Sequence, residues 1–272
     1  MRIYTKSPIN LSTLSHAWNR STVLDEYKKK GHFSLFLLEA MSRDTLPAFS
    51  YQGRKHPLQK SRRWYGHFDQ TIREYYSRHR PTILRATKRV SCKEAARFPG
   101  KLRSLIESLG PYKLPCDKVI LCPNPFGMQG EGYGPLIGRT AYAVFTPDAR
   151  KDQSWLMVHE TCHSFLLPIF QSAEIKRLVR CTEPLMVKWS TKKFRKYYPK
   201  WEWVVEEYMI HAIEQRATGS SVKKKKSWGM NRLPWFIASW KEFQHRRRSE
   251  SNLSVDIWVK ETLHKMQKLA EK

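Results

Sequence analysis

A chain of 272 residues, 40% hydrophobic and 12% aromatic, is long enough to bury a sizeable core, and this composition excludes an intrinsically disordered protein. Its 50 lysines and arginines against 24 aspartates and glutamates give a net charge of +26, which suits nucleic acid, an anionic membrane surface or acidic substrates as partners. The basic residues are spread along the whole chain, so nucleic-acid binding is possible but is not the favoured interpretation.

Cysteine usage and the N-terminal residues indicate the compartment. The five cysteines include no Cys-x-x-Cys pair, which argues against a disulfide framework and against a cysteine zinc site. The first residues, Met1 to Pro8, lack the apolar centre of a signal peptide. Because the chain also lacks an apolar run of about 18 residues, no membrane span is expected and the sequence predicts a soluble cytoplasmic protein.

The hydrophobic pattern divides the chain into a polar leader and one domain. Within the domain, a buried helix is expected over residues 32–41, and a second helix begins near Arg63 and is closed by Pro81. The predicted parts are a leader over 1–30 and a single domain over 31–272, composed of N-terminal helices over 31–115, a small sheet over 116–150, metal-binding helices over 151–217 and closing helices over 218–272. The predicted fold class is therefore α+β and mainly helical.

Two apolar runs, at residues 117–123 and 139–146, predict the strands of the small sheet. The segment between them, 124–138, is rich in glycine and proline and is predicted to be a loop. Its Gly-x-Gly-x-Gly run lacks the Lys-Ser/Thr of a P-loop and the spacing of a dinucleotide site, so it is not expected to bind phosphate.

The most informative stretch is residues 154–165, which contains His159-Glu160-x-x-His163. On a helix, residues four apart lie on the same face, so both imidazoles can reach one metal ion with Glu160 beside them as general base. The apolar neighbours predict a buried helix that Pro168 ends. The alternative, two unrelated solvated histidines, fits poorly because burying imidazoles and a carboxylate without a partner is costly.

A catalytic zinc site uses three protein ligands, so a third ligand is expected downstream. The best source is a second amphipathic helix over residues 201–216. Its Glu206 and Glu207 are adjacent and point about 100° apart, so only one of them can be the ligand. Glu207 is favoured because it shares a helix face with His211 and Glu214, but the pattern leaves Glu206 open.

The two motifs together, His-Glu-Thr-Cys-His-Ser-Phe-Leu-Leu-Pro and Glu-Tyr-Met-Ile-His-Ala-Ile, resemble the gluzincin metallopeptidases. More narrowly, they are similar to a mostly bacterial gluzincin-like family with a His-Glu-Phe-Ser-His-Ser-Phe helix and an Asn-Glu-Tyr helix. The resemblance implies that Zn²⁺ is held by His159, His163 and Glu207, with Glu160 as the base. Glu206 and His211 depart from that family, which tends to have Asn and Arg at these positions.

The predicted function is zinc-dependent hydrolysis of peptide bonds in a peptide or protein substrate. The zincin plan implies that an edge strand precedes the active helix and pairs with the extended substrate, so the 139–146 strand or the glycine-rich loop is expected to line the cleft. A purely structural hairpin is the alternative. The oxyanion donor is expected among Tyr208, His211 and Arg216, with His211 preferred as a catalytic residue, although it can instead brace Glu207. The alternative function is a basic protein that binds nucleic acid or an anionic surface, with a structural metal or none.

Overall fold

The computed structural model describes residues 1–5, 9–20, 62–89, 98–126, 132–146, 153–219 and 229–272. These residues form a mainly helical α+β fold with a small mixed sheet, so the predicted fold class is confirmed. The helix predicted over residues 32–41 lies outside the described residues.

The described elements are arranged around two long helices that carry the motifs. The helices are α1 (Ile9–Arg20), α2 (Arg62–Arg89), α3 (Phe98–Leu109), α4 (Ser154–Gln171), α5 (Ala173–Cys181), α6 (Leu185–Trp189), α7 (Lys192–Tyr197), α8 (Trp201–Thr218), α9 (Leu233–Arg246) and α10 (Val255–Ala270). The strands are β1 (Arg2–Thr5), β2 (Lys118–Pro123), β3 (Gly132–Tyr133), β4 (Leu136–Ile137) and β5 (Thr140–Phe145).

The sheet has the order β1-β2-β5-β3, and β4 also pairs with β5. The first three strands are parallel, with Ile3 opposite Val119 and Val119 opposite Ala141, whereas β3 and β4 run antiparallel to β5. The strand before the active helix is therefore internal, and the expectation that it is an edge strand is wrong. The reason is that the glycine-rich segment folds back to pair with it, which makes β3 the strand at that end of the sheet.

Part of the predicted leader belongs to the fold. Residues 2–5 form β1, and residues 9–20 form α1, which packs against α2. Leu14 and Ala17 are fully buried, which shows that α1 contributes apolar side chains to this packing. The prediction of a polar leader over 1–30 is therefore wrong for these residues, because a few apolar positions at helical spacing suffice for a helix that packs on a neighbour.

Two prolines that were expected to end helices lie inside them. Pro81 is within α2, which continues to Arg89, and Pro168 is within α4, which continues to Gln171. A proline removes one hydrogen bond and disfavours the helix. Buried residues beyond each proline, Ile83 in α2 and Ile169 in α4, supply tertiary packing that compensates for this loss.

The core surrounds α8, which packs against α3, α4, α5 and α9. Because neighbours cover it on several sides, α8 is buried along most of its length and holds its side chains in fixed positions. Among the described residues, no helix combines the length and apolarity needed to cross a membrane. The largest fully buried side chains are Trp240, Trp258, Tyr208, Phe98, Phe145, Phe165, Phe236 and Phe243.

Candidate metal centre

The structure brings His159, His163 and Glu207 together between α4 and α8. The Nε2 atoms of the two histidines are 3.3 Å apart. Glu207 approaches both of them, with Oε2 at 3.6 Å from Nε2 of His159 and Oε1 at 3.4 Å from Nε2 of His163. The helical spacing and the packing of α8 on α4 thus converge three potential ligands on one point.

Glu207 faces the two histidines with different oxygen atoms, Oε2 toward His159 and Oε1 toward His163. Two imidazoles and one carboxylate form a donor set that tetrahedral zinc accepts. Glu207 is only 5% exposed, and its Oε2 accepts no hydrogen bond from any residue within the described ranges. A buried carboxylate oxygen without a donor is costly, and a cation at this point would satisfy it. The residues present therefore fit zinc.

Carboxylates behind the histidines fix their orientation. Oε2 of Glu214 lies 3.0 Å from Nδ1 of His159, and Oε1 of Glu206 lies 3.0 Å from Nδ1 of His163. Each Nδ1 donates its proton to a carboxylate, which leaves Nε2 facing Glu207. Histidines that bind metals are held in this way in most proteins. Glu206 therefore supports His163, and Glu207 is the carboxylate that faces both imidazoles.

Glu214 belongs to the candidate site, although the sequence assigns it no role there. It is fully buried, and its Oε2 also accepts a hydrogen bond from Nδ1 of His211 at 2.8 Å. The sequence does place Glu214 on the same face of α8 as Glu207 and His211, and this spacing could have indicated a role at the site. Its contact with His159 depends on how α8 packs on α4, which no local pattern reveals.

His211 lies beside the proposed third ligand. Its Nε2 is 3.5 Å from Oε2 of Glu207, and its ring is 4.4 Å from the ring of His159. Among the described residues, His159, Glu207 and His211 form a buried group that could hold a metal ion, because one ligand atom from each lies within 4.8 Å of the other two. His211 is therefore a possible ligand in place of His163. The hydrogen bond to Glu214 and the contact with Glu207 are what the bracing role requires. Its role as oxyanion donor stays a prediction.

The other two candidate oxyanion donors lie elsewhere. Tyr208 is fully buried, and its hydroxyl donates to the carbonyl of Trp189 at 2.6 Å. Arg216 is exposed near the end of α8, in a surface groove with Gln244 and Arg247. Neither side chain faces the histidine pair, so neither is expected to contact a reacting group.

Tyr198 is a second residue that the sequence analysis missed. It caps the C-terminal end of α7, and its hydroxyl lies near the carboxylate of Glu207. Burial and the neighbouring carboxylates of Glu207 and Glu160 raise the pKa of Tyr198, so its hydroxyl keeps its proton at neutral pH. The sequence offered no signal for this contact, because Tyr198 belongs to a lysine-rich connection whose path is set by tertiary packing.

The histidines are predicted to differ in protonation. Burial lowers the pKa of His159 to about 4, so this imidazole is neutral at physiological pH. Burial also opposes a charge on His163, but hydrogen bonds to Glu206 and Glu207 outweigh it and hold the pKa of His163 well above 6.5. Burial alone would raise the pKa of Glu207, yet its hydrogen bond with His163 and the charges around it bring that pKa below its usual value. In the metal-free protein, His163 is therefore protonated and donates toward His159.

The glycine-rich segment lies directly against Glu160. A Cβ atom added to Gly134 would overlap the main-chain carbonyl of Glu160, and one added to Gly132 would overlap its carboxylate. The hydroxyl of Ser164 donates to the carbonyl of Gly134 at 2.8 Å and ties the segment to α4. The wall beside the predicted base is thus formed by β3 and the residues after it, with no side chain between.

We expect Gly134→Ala to destabilise the fold by about 2–3 kcal/mol, because the added methyl group overlaps backbone atoms that cannot move aside. The free energy of unfolding from urea denaturation measures this effect. Gly100→Ala in α3 is the matched control: no atom lies within 4 Å of its added Cβ, and helix propensity favours alanine by about 0.5–1 kcal/mol. Equal stability of the two variants would contradict the close contact at Glu160.

No protein-family model, curated protein or solved structure matches this chain.

Proposed function

We propose that this chain is a zinc-dependent peptidase of the gluzincin type. The observation that carries the proposal is the convergence of His159, His163 and Glu207, whose closest nitrogen and oxygen atoms are 3.3–3.6 Å apart, with a different Glu207 oxygen facing each histidine. Glu160 occupies the position of the general base in the His-Glu-x-x-His motif and is buried beside them. The resemblance to gluzincins at the two motifs supports the same conclusion.

In this proposal His159, His163 and Glu207 hold the zinc ion, and Glu214 and Glu206 orient the two imidazoles. When bound, zinc lowers the pKa of a water molecule and polarises the substrate carbonyl.

Glu160 accepts a proton from the attacking water and returns it to the nitrogen of the leaving amine. The protonated hydroxyl of Tyr198 lies near Glu207 and supplies a donor for that carboxylate in this proposal.

Substrate approach is expected from the side of His163. The side chains of His163 and Glu206 are 23% and 18% exposed, whereas those of His159 and Glu207 are 8% and 7% exposed. Glu160 is 4% exposed and is covered by β3. A polypeptide reaching the centre would therefore pass His163, Glu206 and the half-buried Tyr198.

The direct test uses the purified 272-residue chain. Atomic emission should find about one zinc per chain after dialysis, as expected for a site with three protein ligands. The zinc-loaded protein should cleave unstructured peptides in a mixture followed by mass spectrometry, and a chelator should stop the cleavage until zinc is restored. A chain that binds no zinc, or that binds zinc and cleaves no peptide, would reject the proposal.

We expect zinc affinity to rise about tenfold per pH unit across the neutral range, because zinc must displace one proton from His163. The sign follows from the raised pKa of His163: below that pKa the proton competes with zinc, and above it the affinity levels off. Competition with a chelator of known affinity at several pH values measures the slope. Glu206→Gln removes the hydrogen-bonded charge that raises this pKa, so the slope should flatten in that variant. A pH-independent wild-type affinity would show that His163 carries no proton in the metal-free protein.

A further inference from the structure

An exposed aromatic side chain lies one helical turn from the proposed third ligand. Trp203 lies one turn before Glu207 on the same face of α8 and is 44% exposed. Helical side chains lean toward the N-terminus of their helix, so the carboxylates of Glu206 and Glu207 lean toward the turn that carries Trp203. An exposed indole therefore lies next to the side of the site on which His163 and Glu206 are accessible.

A lysine lies over this indole. The ammonium of Lys200 is 5.0 Å from the centre of the Trp203 ring, a cation–π distance. Lys200 is exposed and directly precedes α8, two residues after Tyr198, whose hydroxyl lies near Glu207. Tyr198, Lys200 and Trp203 therefore follow one another along the border of the site, which we call the entrance rim.

The charge of the rim is opposite to that of the centre. The candidate centre contains four carboxylates, those of Glu160, Glu206, Glu207 and Glu214. Residues 192–203 contain five basic residues and one acidic residue. Among the basic side chains, Lys192, Lys193, Lys196 and Lys200 are exposed.

We propose that the substrates are acidic polypeptides, recognised by Lys200 and Trp203 at the entrance rim; this inference rests on the proposed peptidase function. An Asp or Glu side chain of the substrate pairs with Lys200, and the neighbouring substrate backbone crosses the Trp203 ring. One helical turn separates Trp203 from Glu207, about 6 Å along the axis. An extended chain advances about 3.3 Å per residue, so the recognised acidic residue lies roughly two residues from the cleaved bond.

Binding measured without turnover tests this inference. Zinc-loaded Glu160→Gln protein is titrated with fluorescein-labelled peptides of equal length that contain Glu, Gln or Lys at matched positions, and fluorescence anisotropy reports the Kd. The acidic peptide should bind most tightly, and its affinity should fall with salt. Adding Lys200→Glu should weaken binding of the acidic peptide by about 3- to 10-fold and should strengthen binding of the basic peptide. Trp203→Ala should weaken binding of all three peptides.

Lys268→Glu is the matched control, since it makes the same charge change on an exposed residue of α10, a helix that packs against α5 and α9. Equal effects of Lys200→Glu and Lys268→Glu would overturn the inference, because a general charge effect would then explain the preference. The inference is also overturned if single-stranded DNA displaces the acidic peptide and Lys200→Glu lowers the affinity for DNA more than the affinity for the peptide.

Wild-type cleavage of neutral and acidic peptides at equal kcat/KM overturns the inference but leaves the peptidase proposal intact. Absence of any cleavage rejects the peptidase proposal itself.

Discussion

We expect Glu160→Gln to lower peptide turnover by about 10²- to 10⁴-fold while the zinc content stays at that of the wild type. Glutamine has nearly the shape of glutamate, so the packing against Gly132 and Gly134 is kept. Glutamine cannot accept the proton of the attacking water, so the rate of the chemical step falls while zinc binding is unchanged. Values of kcat/KM on one cleaved peptide, together with zinc per chain by atomic emission, measure the two quantities.

The matched control for this variant is Glu202→Gln. Glu202 is exposed in the first turn of α8, so the same loss of one negative charge should leave turnover unchanged. Full activity of Glu160→Gln would show that another group acts as base. A loss of zinc from Glu160→Gln would instead assign Glu160 to the metal and would contradict the proposed set of ligands.

Replacing His163 by alanine should weaken zinc binding by on the order of 10²- to 10³-fold, since one of three protein ligands is removed from a site whose total binding energy is large. The zinc Kd from chelator competition is the measurement. His264→Ala serves as the control, because His264 is an exposed histidine of α10. Unchanged zinc affinity in His163→Ala would exclude His163 as a ligand and would favour the group of His159, Glu207 and His211.

The two adjacent glutamates provide a further comparison within this prediction. Glu207→Ala removes a ligand and should resemble His163→Ala. Glu206→Ala removes only the hydrogen-bond acceptor behind His163, so its loss of affinity should be about 10- to 100-fold. The reverse order would assign the ligand to Glu206, the alternative that the sequence left open.

Much of the site could be predicted from sequence because it depends on local spacing. His159 and His163 are four residues apart on one helix, so their convergence follows from helix geometry alone. The preference for Glu207 followed in the same way from its shared face with His211. Glu214 and Tyr198 are different, because their contacts with His159 and Glu207 join separate elements and depend on tertiary packing.

The fold likewise contains features that follow from local sequence and features that depend on tertiary packing. The strands over 118–123 and 140–145 follow from apolar runs, and the sequence places them well. The neighbours of each strand do not follow, because pairing is decided by distant segments: the glycine-rich segment covers one side of β5, and β2 covers the other. The prediction that Pro168 ends its helix is wrong for a related reason. Local propensity disfavours a helix there, but the burial of Ile169 stabilises it.

The pairing of β1 with β2 has a consequence for synthesis on the ribosome. Ile3 lies opposite Val119, so among the described strands the first finds its partner only after more than a hundred further residues have been translated. At roughly 5–20 residues per second this interval lasts about 6–25 s. During that time the backbone donors and acceptors of β1 are open to other chains, so we expect the nascent polypeptide to depend on chaperones more than the packed core of the finished molecule suggests.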